Sequence, residues 1–207
     1  MSDPLENVYW IGGGSGAGKS TVARRLARER GWRPYETDAV MGDHSRRTTP
    51  ERAPFLHRFM AMGMDQRWVE RSPRDMLETF HWFRGEGFDL MIEDLRAMPP
   101  GPPVVAEGFR LLPRLVAPLA AAGRAVWLLP TAEFRRAAFE RRSVPGSDFV
   151  DRTSDPDRAM RNLAERDRMF TDRLRGELSR LDLRAIEIDT SMSEDQVFGA
   201  VVGAFGA

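Results

Sequence analysis

Short apolar runs recur along this chain, each followed by glycine, proline or acidic residues and then by a longer amphipathic stretch. Asn7–Ile11 reads as a first strand ending in glycines. In the stretch after it, Val22, Ala23, Leu26 and Ala27 form one apolar stripe at helical spacing, and Gly31 is placed to stop that helix. Further strands are predicted at Trp32–Asp38, Val104–Glu107, Ala125–Leu129 and Ala185–Asp189, with helical patterns between them and a long helix from about Pro156 to Leu181. Strands alternating with helices predict βαβ units and a parallel sheet covered on both faces.

Two segments depart from this alternation. Residues 42–103 carry His44, His57 and His81 with Trp68 and Trp82, and they read as a mostly helical insertion over one edge of the sheet. Ser143–Pro156 is an irregular piece between two arginine-rich helices, of a length that often marks a functional loop. No internal repeat is visible, and residues 1–207 read as a single domain.

Composition narrows the chemistry. Formal net charge is zero, so no global field draws the chain to nucleic acid or to an anionic membrane, and any anion site must be built locally. The absence of cysteine excludes disulfides and thiolate chemistry and fits a cytoplasmic setting. The acidic start is unlike a signal peptide, and charges interrupt the most apolar region, so no membrane span is expected. Three scattered histidines lack ligand spacing for zinc.

The 31 basic residues comprise 30 arginines and one lysine, Lys19. It lies in the glycine-rich turn between the first strand and the first helix, where two phosphate-binding patterns overlap. Gly12, Gly14 and Ala17 match a dinucleotide fingerprint, with Glu36 near the spacing of a ribose-binding acid. Gly13 followed by Gly18, Lys19 and Ser20 matches the triphosphate-binding loop in full. Only the second reading accounts for Lys19 and Ser20. The amides of Gly13, Gly14, Ser15, Gly16, Ala17 and Gly18 form a nest for phosphate oxygens, together with the start of the helix at Lys19, Ser20 and Thr21. Lysine brings a compact ammonium to the β- and γ-phosphates, and Ser20 offers a hydroxyl to Mg²⁺. Arginine's planar fork suits the narrow loop less well.

Other residues are candidates for the chemistry at those phosphates. Glu36 and Asp38 are two apart, so a continuing strand would project both to one side, where an acid can take a substrate proton or hold a metal-bound water. Asp38 could instead cap a helix. Glu107 ends an apolar strand where an acid would orient Mg²⁺ or meet substrate, unless it is a structural, salt-bridged acid. Gly108 then turns the chain, and Phe109 and Arg110 are expected to face the crevice. Arginines 135, 136, 141, 142, 152, 158, 161 and 166 crowd the irregular loop, the composition of a lid that supplies cations to a moving phosphoryl group, although neighbouring acids offer many of them partners.

Together, "GGSGAGKST", "ETD", "VVAEG", "RRAAFERR" and "IEIDTS" resemble the P-loop small-molecule and nucleotide kinases, the group of shikimate, gluconate, adenylate and chloramphenicol kinases. The resemblance implies an α/β, three-layer P-loop NTPase fold with a five-stranded parallel sheet; residues 42–103 are expected as a substrate-side helical insertion, although they match no substrate pocket of the family, and residues 143–156 as an arginine-rich lid loop. It implies transfer of the γ-phosphoryl group of ATP, with Mg²⁺, to a small-molecule or nucleotide acceptor. Asp38 would contact or deprotonate the acceptor hydroxyl, Glu36 would take the metal side, Arg141 or Arg142 would act from the lid, and the segment after Thr190 would border the adenine. A nucleotide-dependent switch module and a nucleic-acid end kinase are the alternatives, the latter disfavoured by the zero net charge.

Overall fold

The computed structural model describes residues 3–140 and 149–206. Five strands form one sheet: β1 (Val8–Gly13), β2 (Arg33–Glu36), β3 (Val104–Glu107), β4 (Ala125–Pro130) and β5 (Ala185–Ile188). They lie in the order β2-β3-β1-β4-β5, every pairing parallel. The strand-helix alternation in the sequence thus becomes the expected α/β sheet.

Period-two patterning explains why both faces are covered. Val8, Trp10, Ala106, Trp127 and Leu129 point to one face and Ile11, Val105, Val126 and Leu128 to the other, all essentially buried. The second face is closed by α1 (Lys19–Arg30), through Val22, Ala23 and Leu26, and by α11 (Glu194–Phe205). α1 stops at Gly31, whose φ of 67° reverses the chain, and α11 begins with a capping box between Ser193 and Gln196.

Six helices connect β2 to β3: α2 (Met41–Arg47), α3 (Pro54–Ala61), α4 (Met64–Trp68), α5 (Pro73–Thr79), α6 (His81–Arg84) and α7 (Phe88–Ala97). All six lie within residues 41–97. Leu77, Phe83, Met91 and Leu95 enter the core on the first face, in the same cluster as Trp10 and Ala106. The same layer contains α8 (Pro113–Val116) and α10 (Pro156–Arg180), the latter supplying Phe170, Leu174 and Leu178. Phe83 stacks on Phe170 at 3.7 Å between ring centres. α10 starts at the predicted proline, where the Asp155 carboxylate accepts from the Arg158 amide at 2.9 Å. α9 (Ala132–Glu140) follows β4. Truncating one of these core side chains to alanine typically costs about 2–5 kcal/mol.

Candidate functional site

The glycine-rich turn leaves β1 while still tied to its neighbour: the Gly14 amide donates to the Leu128 carbonyl at 3.0 Å. Gly13, Gly16 and Gly18 have φ of 126°, 79° and 78°, so the loop curls in a region L side chains avoid. A side chain at Gly13 would also strike the Leu128 backbone. α1 then begins at Lys19 and directs its first amides back into the loop. Lys19 is 8% exposed, and its ammonium folds across the turn to donate to the Gly14 carbonyl at 2.7 Å.

Ser20 faces the neighbouring strand. Its hydroxyl donates to Glu107 Oε1 at 3.0 Å. Glu107 is buried, and desolvation raises its pKa while Lys19 and the Ser20 hydroxyl pull the other way. Thr21 lies on the other side of α1, where it lines a smaller cavity of about 200 Å³ with Phe134, Met192 and Val197.

The two acids after β2 part company. The strand ends at Glu36 and the chain turns, so strand alternation no longer governs Asp38. Glu36 is gripped by Arg24 of α1 through two contacts of 2.9 and 3.1 Å, which lower its pKa. Asp38 instead lines the main cleft. It is open to the cleft yet enclosed by protein on most sides; desolvation raises its pKa, and Lys19 and Arg110 counter that rise. It caps no helix, since α2 begins three residues later behind Val40.

Between Glu107 and the turn after it sits Gly108, at φ of 149°, packed so closely that a Cβ would overlap the Thr37 hydroxyl. The Thr37 amide also donates to the Glu107 carbonyl at 3.0 Å, which fastens the two acidic strand ends together.

The cleft measures about 1000 Å³ and extends from Ser15–Ser20, Asp38, Glu107 and Phe109 to α9 and α10. Arg135 bridges those helices, donating to the Ala164 carbonyl at 3.4 Å and to the Thr171 hydroxyl at 3.2 Å. Its burial lowers its pKa. Arg166 is buried beside Asp167, whose Oδ1 accepts from Nε at 2.9 Å and Nη2 at 2.7 Å, and its guanidinium lies 4.9 Å from the Phe80 ring centre. Arg136, Arg161 and Arg168 line the same wall. Arg168 is held by Glu165 and Asp172. Arg141, Arg142 and residues 143–148 of the expected lid lie outside the described residues.

Phe109 lines the cleft, whereas Arg110 does not. Arg110 is 1% exposed and clamps the back of the site, donating to the Thr37 carbonyl at 3.1 Å, the Gly87 carbonyl at 3.3 Å and His44 Nδ1 at 2.9 Å. Its guanidinium also stacks 3.9 Å from the Trp82 ring centre, and burial brings its pKa down to about 10. Because arginine only donates, His44 Nδ1 accepts and Nε2 donates to Asp94 Oδ2 at 2.7 Å. The crevice expected for Arg110 is instead walled by Phe149, Met160, Leu163 and Arg168, which the sequence reading passed over. The apolar spacing of Met160 and Leu163 was visible, but it continues into core positions Phe170 and Leu174 and does not distinguish cleft from core.

A parallel sheet in this order, with a phosphate-type loop between its central strand and the helix that follows, defines the P-loop kinase fold. No family model matches the chain, and no curated protein matches it. Among solved structures, deoxyadenosine kinase from M. mycoides with bound dATP aligns with a TM-score of 0.51 at 9% identity, over 97% of this chain and 100% of that one. A gluconokinase from Sinorhizobium meliloti 1021 aligns at 0.48 and 16% identity, over 100% and 94% of the two chains. At these identities the likeness concerns the fold.

Proposed function

We propose that this chain is an ATP- and Mg²⁺-dependent phosphotransferase that moves the γ-phosphoryl group to a hydroxyl of a small molecule or nucleotide. The observation that carries this reading is the convergence of Lys19, Ser20, Glu107 and Asp38 on one cleft with room beyond the phosphate loop for a second substrate. The loop amides and Lys19 hold the β- and γ-phosphates, and Arg135 and Arg136, which line the same cleft, balance charge on the moving group. The smaller cavity beside Thr21, Phe134 and Met192 suits the adenine.

Ser20 and Glu107 fit a magnesium site, since both offer hard oxygens and they lie within hydrogen-bond distance of each other. Among the described residues no cluster of three acidic or histidine side chains forms a metal cage, so such an ion would share its ligands with phosphate oxygens and water. When bound, Mg²⁺ supplies charge neutralisation at those oxygens. The Arg24 grip on Glu36 makes Glu107 the better placed acid for this role.

Asp38 is the acceptor base. The acceptor oxygen forms a bond to the γ-phosphorus, the bond from that phosphorus to the β–γ bridging oxygen breaks, and Asp38 takes the hydroxyl proton. Its raised pKa makes it a stronger base than an ordinary aspartate. Asp38→Asn is expected to lower phosphoryl transfer by roughly 10²–10⁴-fold with the KM for ATP little changed. Transfer of radiolabelled γ-phosphate across a panel of alcohols, nucleosides and nucleotides measures this. Normal transfer by the variant would remove Asp38 as base.

A further inference from the structure

Large apolar side chains are normally hidden unless a partner covers them. Among the described residues the exposed large hydrophobics are Met60, Phe149, Met160 and Leu181, and two of these four, Phe149 and Met160, line the main cleft. Phe109 and Leu163 join them there. Charged residues of the cleft border this group: Asp38 lies in the turn after β2, Glu107 ends β3 and Arg161 falls between Met160 and Leu163 on α10, while Phe149 lies in the single turn Phe149–Arg152.

The wall is also backed by rings. Phe109 lies 6.3 Å from Phe80 in a stacked pair and 5.8 Å from Phe83 edge-on. Phe149 meets Trp68 at 5.1 Å, and Trp68 meets Phe59 at 5.4 Å. Rings supported in this way present flat, stiff surfaces that lose little entropy on meeting a ligand. A polyol placed against them would have hydroxyl groups facing hydrocarbon with no partner, a penalty that grows with each hydroxyl. A flat ring loses nothing there and gains stacking and apolar burial.

We infer that the acceptor taken by this site is a hydroxylated compound carrying a flat aromatic or heteroaromatic ring, held by Phe109, Phe149, Met160 and Leu163, and not an open-chain polyol or sugar acid. The inference rests on the phosphotransferase reading for the fate of the hydroxyl, but the ring-binding wall stands on its own geometry. Phe109 is two residues beyond Glu107, so a ring against it lies beside the acidic strand ends from which its hydroxyl would be engaged.

The test uses the whole chain saturated with ADP and measures binding by calorimetry, then ATP-dependent phosphorylation, for thymidine and 2-phenylethanol against gluconate and glycerol. Ring compounds are expected to bind and to react with a KM at least about tenfold below those of the open-chain compounds. In the double variant Phe149→Ala, Met160→Ala the KM or Kd for the ring compound is expected to rise about tenfold or more, far beyond any change in the KM for ATP. Phe149→Tyr, which keeps the ring, should recover most of the loss. Ring binding that is lost in the double variant but never leads to phosphorylation supports the wall and counts against the phosphotransferase reading. Phosphorylation of gluconate or glycerol without ring binding overturns the inference and leaves that reading standing. Failure of both ring compounds to bind, or an unchanged affinity in the double variant, also overturns it.

Discussion

Ser20, on the first turn of α1, donates its hydroxyl to the carboxylate of Glu107, at the end of β3, across 3.0 Å. The two residues are 87 positions apart in the chain, and the parallel pairing of Ile11 with Glu107 brings them together. The glycine-rich turn and the first turn of α1 are thereby fastened to the strand beside them.

Ser20→Ala breaks that fastening and leaves a buried carboxylate short of one donor. It is expected to cost about 1–3 kcal/mol of stability and to raise the Mg²⁺ concentration needed for half-maximal activity. Urea unfolding and a Mg²⁺ titration of turnover measure the two effects. An unchanged Mg²⁺ requirement would remove Ser20 from the metal site.

Lys19 is buried with its ammonium already turned over the loop. Lys19→Ala is expected to weaken ATP binding by roughly ten- to a hundredfold, the range for a lost charged hydrogen bond. Lys19→Arg should recover little, because a planar guanidinium has no comparable place inside the turn. Calorimetric titration with ATP separates these outcomes, and wild-type affinity in the alanine variant would contradict the phosphate assignment.

Arg110 touches no part of the cleft but lowers the pKa of Asp38 and holds the carbonyl of Thr37 next to it. In Arg110→Met the loss of positive charge raises the Asp38 pKa, so the base is protonated at higher pH and the acid limb of kcat/KM moves upward. Arg110→Lys keeps the charge and should move it less. Each orphaned buried acceptor adds about 1–3 kcal/mol of instability, so the profile is measured well below the melting temperature. An acid limb that stays fixed in both variants would leave Arg110 a packing role alone.

His81 is buried among Phe59, Phe80 and Trp82, and its pKa falls from an ordinary 6.5 to about 3, chiefly through desolvation, with Arg110 and Arg166 adding to it. Below pH 6.5 the unfolded chain takes up a proton that the folded chain refuses. Stability should therefore fall with pH from about 6.5 to about 3, by up to roughly 1.4 kcal/mol per pH unit from this group. His81→Leu should flatten that part of the stability profile in chemical denaturation across pH. A slope identical to that of the parent chain would mean His81 is not responsible.

Much of the fold is legible where local pattern governs. The strands at Val8, Val104, Ala125 and Ala185 each carry enough apolar residues to predict themselves, and Lys19 with Ser20 completes the glycine-rich pattern within a single turn. Glu36 and Asp38 were misaligned by one assumption, that the strand runs on; its end at Glu36 turns one acid to Arg24 and the other to the cleft. Arg110 was opaque for a different reason. Its burial depends on Trp82, His44 and Gly87, residues far from it in the chain, and no periodicity reports that kind of meeting. The six helices between β2 and β3 could be counted as helical, but the face they cover depends on what the sheet leaves bare.

The close approach of Gly108 to Thr37 limits how this site can vary. Because backbone meets side chain there without slack, the spacing of the strand ends that carry Asp38 and Glu107 is set by packing and is independent of the charges they bear. Even the smallest side chain at position 108 would have to spread the frame itself. Chemistry and geometry are inherited separately at this corner, so drift in one need not be repaired by the other.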